Sequence, residues 1–291
     1  MGVFHEVMKT IEGKTAGPVN PEDYMGEDGL MMCGQCHTPR ELRLADISDL
    51  PIETLDELFG AGKKVPVFCQ CRKEQAERKD AEAARRAAAG RIAMARRHCF
   101  HTAEDAACTF AIDDRKNPAV SDAVRRYAEQ FGTMQGSNTG LLLYGPVGTG
   151  KTFLSACVAN HVLAQGYSAE MTNFSRVVND IQSSWEGKQE YIDRLVRKDL
   201  LIIDDLGIER ESEFMQEQVY NIVDARYKSG KPLIVTTNIS LEEIKNPKNE
   251  QRMRIYDRIL EMCHPIKVDG ASRRRKAVRE NYAERNRLLG L

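Results

Sequence analysis

The sequence predicts an α/β domain on a largely parallel central sheet, preceded by a small cysteine-bearing module and a helical connector. Three observations carry this. Short apolar runs, LLLY (141–144), LLIID (200–204) and PLIVTTN (232–238), alternate with longer amphipathic stretches, the pattern of buried strands joined by crossover helices. A glycine-rich turn, GPVGTGKT (145–152), leads from the first of those runs into a helix. Ahead of them, residues 72–98 are Ala, Arg, Lys and Glu with almost no large apolar side chain, the composition of a solvated helix.

These shifts set the expected boundaries: a module at 1–71, a connector at 72–98 and the α/β domain at 99–291. Within the domain, Thr152–Gln165 reads as a helix with Leu154, Cys157, Val158 and Val162 on one face and Gly166 as its stop. SAEMTN (168–173) reads as a strand and Phe174–Trp185 as a helix. LLIID is too apolar and too short to be anything but a central strand. Glu213–Ser229 is helical and closed by Gly230, PLIVTTN is a further buried strand, and Arg254–Met262 is a short helix. No internal repeat is present.

Bulk charge points to no partner. With 42 basic and 43 acidic residues, any nucleic acid or membrane must be met by a local patch. No apolar run approaches the roughly 20 residues of a membrane span, and MGVFHEVMKTIEGK lacks the apolar centre of a secretory signal. Glu6 stands where a myristoylation motif needs Ser or Thr. The expected location is cytoplasmic, without a membrane partner, and there the eight cysteines are free or metal-bound rather than paired.

The turn Gly145-Pro146-Val147-Gly148-Thr149-Gly150-Lys151-Thr152 fits G-x-x-x-x-G-K-[ST] between a strand and a helix, the context of a phosphate-binding loop. Its glycines let backbone N–H groups converge on phosphate oxygens, and the helix N-terminus adds partial positive charge. Lys151 is placed to reach the β and γ phosphates of ATP, and the Thr152 hydroxyl to bind Mg²⁺. Asp204, closing the LLIID strand, is the expected Mg²⁺ partner. Asp205 either orients the attacking water as general base or only opens the turn DDLG. Asn238 ends the next strand at the same carboxyl edge, where its amide either positions that water or starts an ordinary turn.

GLLLYGPVGTGKTFLSACVAN, DLLIIDDLGIER, KPLIVTTN, RIYDRILE and GASRRRK together resemble the successive motifs of the DnaC/IstB-type AAA+ ATPases, the family of bacterial and phage helicase loaders. The resemblance covers roughly residues 108–278. It implies a P-loop NTPase fold of the AAA+ type, with Asp204 and Asp205 as the second nucleotide motif and Asn238 as its polar sensor. Arg258 matches the arginine finger that reaches a neighbouring subunit's nucleotide, and Arg274 the second sensor on the subunit's own γ-phosphate. Many AAA+ enzymes carry Glu where Asp205 stands. A finger acting in trans implies self-assembly into a ring or spiral. On the residues alone, Arg258 can instead lie on a solvated face or pair with Glu261, and Arg273 to Lys276 form a basic run that either touches nucleic acid or stays solvated.

The resemblance further implies a replicative DNA helicase and single-stranded DNA as partners, with residues 1–71 docking on the helicase. Phe4, Val7, Met8 and Ile11 form an i, i+3, i+4, i+7 stripe that either enters a partner groove or packs in its own module. Ser175 and Arg176 match positions near pore-facing DNA contacts, with Phe174 as aromatic support. The basic residues of 72–98 offer a phosphate backbone a path, yet acids interleave them and no aromatic is present to stack on bases. Two other readings use the same ATPase domain: an IstB-like transposition helper, and a non-catalytic nucleotide-gated adaptor.

Cys33-Gly-Gln-Cys36 and Cys69-Gln-Cys71 supply four thiolates, the number a tetrahedral Zn²⁺ needs, in a segment too poor in large apolar residues to fold on a core of its own. The C-x-C pair and the long stretch between pairs depart from a compact ribbon; redox-active or unpaired thiols, or His37 or His98 in place of one thiolate, are the alternatives. Cys99, Cys108, Cys157 and Cys263 have no close partner and read as core or neutral surface residues.

Overall fold

The structure, a computed structural model, describes residues 20–43, 64–183, 187–207, 213–247, 249–273, 282 and 285–291. The stripe Phe4, Val7, Met8 and Ile11 lies outside the described residues, as does Arg274. The chain divides into two compact units, Met1–Ala89 and Gly90–Leu291.

In the first unit, two short antiparallel strand pairs stand where no strand was expected. Strand β1 (Tyr24–Met25) pairs with β2 (Met31–Met32), and β3 (Glu41–Arg43) with β4 (Lys64–Pro66). Two or three residues per strand are too few for a period of two to register. Among the described residues the buried set is small: Cys33, Val65, Val67 and Cys69, with Arg40 paired to Asp23. The connector residues belong to a 30-residue helix, α1 (Gln70–Cys99), almost wholly exposed along its length.

The second unit is a three-layer α/β domain. Its five strands are β5 (Gly140–Tyr144), β6 (Ala169–Asn173), β7 (Leu200–Leu206), β8 (Leu233–Thr237) and β9 (Cys263–Lys267), all parallel, in the order β6-β7-β8-β5-β9. Leu142, Leu143, Leu200, Leu201, Ile202 and Leu233 are fully buried, as strands covered on both faces require. One face carries α2 (Ala103–Ala107), α3 (Pro118–Glu129), α4 (Phe131–Gly136) and α5 (Lys151–Ala164), and Leu154, Val158 and Val162 of α5 meet Leu141, Leu143 and Ile202. The other carries α6 (Phe174–Ser183), α7 (Lys188–Arg197), α8 (Glu213–Ser229), α9 (Leu241–Lys245) and α10 (Glu250–Met262), packed on Leu142, Leu201, Ile203 and Val235.

Helix ends follow local chemistry. Asn117 caps α3 with Pro118 at its first position, Gly166 takes φ 94° just past α5, and Asn249 caps α10, which therefore starts four residues before the expected Arg254. Because all strands run parallel, the carboxyl ends of β5, β7 and β8 gather at one edge. That edge holds the site.

Candidate functional site

The loop 145–150 has the backbone its glycines predict. Gly145, Gly148 and Gly150 take φ of 143°, 82° and 101°, a region that a side chain opposes. Space gives a second reason: a Cβ at Gly148 would lie 2.3 Å from Ser272 Oγ, and one at Gly145 2.4 Å from the Val268 carbonyl oxygen. Thr149 Oγ1 donates to the Pro146 carbonyl at 2.9 Å and pins the turn. Val147 stands exposed at the tip. Lys151, buried at the start of α5, donates from Nζ to the carbonyls of Gly145 and Pro146, both at 2.8 Å, and to Asn238 Oδ1 at 2.7 Å.

Asp204 stands across from the loop. Both its oxygens accept from Thr152 Oγ1, at 3.0 and 3.1 Å, and Thr236 Oγ1 donates to Oδ1 at 2.5 Å. Burial pushes its carboxyl up, the neighbouring Asp205 adds to that, and the two threonine hydroxyls hold it back. A buried carboxylate beside a loop threonine is the donor pair that a hard divalent cation takes in a phosphate-loop protein, so Thr152 and Asp204 fit Mg²⁺. Asp205 sits at a bulge where the β7–β8 register shifts, with φ 55° and its N–H on Thr236 Oγ1 at 2.9 Å. The bulge places two consecutive acids on the site side of the sheet edge, where strict alternation would turn one away.

A cleft of about 340 Å³ is lined by Gly148, Lys151, Thr152, Asp205, Asn238 and Arg273, among others. Arg273 was not singled out by its sequence context. Its N–H donates to the Gly148 carbonyl at 2.9 Å, its guanidinium lies 5.6 Å from the Phe153 ring centre, and it pairs with Asp114 at 2.8 Å.

Arg258 stands apart from this cleft's lining, held within its own chain. Its Nε donates to Asp224 Oδ1 at 2.8 Å, one terminal nitrogen donates to the Tyr220 hydroxyl at 3.0 Å, and the guanidinium stacks 4.9 Å from the Tyr220 ring centre. Glu261, the alternative partner, accepts from the Tyr227 hydroxyl instead. Ser175 and Arg176 are exposed, as a DNA contact requires, but Phe174 is 2% exposed and packs in the core. Its apolar ring opens α6 on the sheet side, so the aromatic support expected from it is withdrawn.

In the first unit, Cys33, Cys36, Cys69 and Cys71 bring four sulfurs within 4.8 Å of one another. Cys33–Cys71 and Cys69–Cys71 are 3.7 and 3.4 Å apart, against about 3.8 Å for the edge of a tetrahedron with 2.3 Å Zn–S bonds. Gly34 makes the Cys33 turn possible, since a Cβ there would lie 2.2 Å from the Glu22 carbonyl oxygen. Burial resists ionisation of Cys36, yet hydrogen bonds from Thr38 and the Cys71 N–H bring it down to about 5; the hydrogen bond to Cys69, then burial, pushes Cys71 up to about 12. Four thiolates cannot coexist here without a cation, and the donor set fits Zn²⁺. Neither His37 nor His98 belongs to the cluster. Cys99, Cys157 and Cys263 are buried and Cys108 half-buried, with burial pushing the thiols up, as core residues do.

Residues 74–281 match the family model of the IstB-like ATP binding proteins. The chain belongs to that family. Its motifs are thus those of a DnaC/IstB-type AAA+ protein, as their order indicated. It is 28% identical over 167 residues to the replicative helicase loader DnaI of Bacillus subtilis, covering 53% of this chain and 52% of that protein. It is 29% identical over 211 residues to a putative ATP-binding protein in an insertion sequence of Mycobacterium tuberculosis, covering 69% and 79%. A crystal structure of DnaI matches the fold with a TM-score of 0.51 at 22% identity, covering 60% of this chain and 95% of that one. The chain spans about half the length of the curated helicase loader it matches.

For a member of this ATP-binding family, the loop, Thr152, Asp204, Asp205 and Asn238 converge on one sheet edge. Three contributors escaped the sequence reading: Thr236, Arg273 and the Asp114 that pairs with it. Thr236 sits in the apolar run PLIVTTN, and Arg273 in a run of three arginines. Neither pattern separates a site residue from a structural one. Among the described residues no helix is long and apolar enough to cross a membrane.

Proposed function

We propose that the protein is an ATP-dependent helicase loader of DNA replication: an ATPase that binds ATP and single-stranded DNA, self-assembles into a ring or spiral and delivers a replicative helicase. The observation that carries the reading is the Thr152–Asp204 pair facing a glycine cradle at the head of α5, in a chain of the IstB-like family. Backbone N–H groups of 148–152 and Lys151 hold the phosphates, while Thr152 and Asp204 hold Mg²⁺, which when bound neutralises charge developing on the phosphoryl oxygens. Asp205 takes the proton of the attacking water and Asn238 orients it. Arg258 serves the nucleotide of a neighbouring subunit.

The γ-phosphate sensor expected at Arg274 falls outside the described residues. Arg273 lines the cleft, and we assign the same role to it. The division into a helicase-docking module (1–71), connector (72–98) and ATPase domain (99–291) belongs to this proposal, as does Zn²⁺ on the four cysteines. One fact favours a second reading, an IstB-like transposition helper: the insertion-sequence relative is matched over more of both chains than the loader. The cysteine module ahead of the ATPase domain favours the loader.

The test is multiple-turnover ATP hydrolysis with and without single-stranded DNA, combined with gel filtration against the host's replicative helicase. A stoichiometric helicase complex with ATP turnover supports the loader. Tight ATP binding without turnover supports the non-catalytic adaptor, and a complex with a transposase in place of the helicase supports the transposition helper.

A further inference from the structure

Beyond Arg72-Lys73 in its first turn, α1 carries three further basic doublets: Arg78-Lys79, Arg85-Arg86 and Arg96-Arg97. Their separations of seven and eleven residues are both close to whole numbers of turns, about 1.9 and 3.1. Arg78, Arg85 and Arg96 therefore fall in one row, within about 20° of each other around the helix axis. Lys79, Arg86 and Arg97 form a second row about 100° away.

In the linear sequence acids interrupt these cations; on the helix they mostly do not. Glu77 and Asp80 lie roughly 80° or more outside the basic arc. Glu74 sits at its margin and accepts from Gln70 Nε2 at 3.1 Å. Glu82 is the one carboxylate between the rows, and from Ala83 to Cys99 there is no acid at all. Arg78, Lys79, Arg85, Arg86 and Arg97 are exposed and Arg96 is half-buried. Among the described residues the five exposed cations take part in no ion pair.

We propose that this face of α1 binds the phosphodiester backbone of single-stranded DNA. The inference rests on the single-strand reading above and gives it a surface. Charge complementarity selects a polyanion: a strip of six cations about 28 Å long, in a chain whose formal net charge is only −1. Five of the six are arginines, whose planar forks suit phosphate oxygens. The single strand is the polyanion that the reading above supplies, and its flexible backbone can follow a straight strip; a duplex, whose major groove also accepts a straight basic helix, is the competing outcome of the test. With no Phe, Tyr or Trp on α1, the contact reads phosphate and not base.

The experiment is fluorescence anisotropy of a labelled oligo-dT with the full chain at several salt concentrations. It compares wild type, R78A/K79A/R85A/R86A, and R91A, the last a cation on the opposite side of the same helix. Alanine keeps the helix, and circular dichroism with nucleotide binding confirms that each variant is folded. The fourfold variant is expected to bind at least ~10-fold more weakly near 0.1 M salt. Its log K against log salt should flatten by about three, at ~0.7 for each phosphate no longer neutralised. R91A should bind as wild type does. Wild-type affinity and slope in the fourfold variant overturn the inference while the single-strand reading stands. So does tighter binding to a duplex of equal length, or a loss of log K in R91A of a quarter or more of that in the fourfold variant. An oligo-dT that the wild type does not bind overturns both.

Discussion

Lys151 Nζ at the head of α5 donates to Asn238 Oδ1 at the end of β8, 2.7 Å apart across 87 residues of sequence. That bond ties the phosphate loop to the strand end from which water would be positioned. Lys151→Ala is expected to abolish nucleotide binding, because it removes the ammonium buried at the head of the cradle. Asn238→Ala leaves the ammonium its two carbonyl acceptors, Gly145 and Pro146. Fluorescent-nucleotide titration of that variant should stay within about threefold of wild type, while turnover falls ~10–100-fold, a barrier increase of about 1.4–2.7 kcal/mol. Unchanged turnover would remove Asn238 from the mechanism.

Asp204 links stability to function with opposite signs. Its folded-state pKa is raised above the ordinary value of 3.8, chiefly by burial and then by Asp205. A raised carboxyl favours the protonated native state, so ionisation destabilises the fold as pH climbs past the unfolded-state pKa, and the cost is present at pH 7. Asp204→Asn is therefore expected to melt higher than wild type at pH 7 without Mg²⁺ or nucleotide, by about 2–4 °C for each kcal/mol relieved. The gain should vanish below about pH 4. The same variant loses Mg²⁺-dependent hydrolysis. A lower melting temperature at pH 7 contradicts the sign.

How much of this was legible depended on whether local sequence carried the constraint. The strand 141–144, the loop and Asp204 were readable because an apolar run, a glycine spacing and a terminal acid each announce themselves within a few residues. The edge strand β9 was not: CHPIK contains a proline and is only partly buried. Arg273 could not be told from Arg274, since the register is set by packing of Ser272 and Arg273 against Gly148 and Gly150. Phe174 looked available and is buried, because the burial of a helix's first residue depends on which side of the strand the chain leaves. Arg226 is the largest miss: it looks like an ordinary last-turn cation of α8 and is fully buried.

Arg226 donates to the carbonyls of Val196, Lys198, Asp199 and Pro232, joining α8 to the starts of β7 and β8. Burial lowers its pKa to about 10. A lysine ammonium cannot reach four carbonyls on two separate segments at once. Arg226→Lys should destabilise the second unit by about 2–4 kcal/mol, the cost of one or two buried acceptors left without donors. Urea unfolding measures it, and a change under 0.5 kcal/mol, within the scatter of surface substitutions, would show that water replaces the guanidinium. Nucleotide affinity of the folded protein should hold, because these carbonyls lie at the opposite edge of the sheet from the phosphate loop.

The four-cysteine cluster predicts a metal dependence confined to the first unit. Elemental analysis should find about one zinc per chain. A strong chelator at neutral pH should reduce the structure of the two strand pairs while leaving ATP binding intact, since among the described residues the cluster lies wholly within residues 33–71. Cys69→Ser should do the same without chelator. A metal-free chain with the wild-type far-ultraviolet spectrum and the wild-type melting transition would refute the zinc assignment.

Arg258 offers a test of assembly. Its guanidinium is held by Asp224 and Tyr220 of its own chain. Lys228 and Arg258 keep the Asp224 carboxyl below its ordinary range against the opposing effect of burial, so the clasp is fully charged at pH 7 and weakens only as pH falls through that lowered value. A hydrolysis optimum near neutrality therefore has another origin. Arg258→Ala should bind ATP normally and lose turnover by ~10³-fold or more, the range of an arginine finger. Mixed with Lys151→Ala subunits, which cannot hold nucleotide but still present Arg258, it should recover a fraction of wild-type activity that peaks near equal proportions. A finger acting within one chain gives no recovery at any ratio, because neither subunit would then contain both groups.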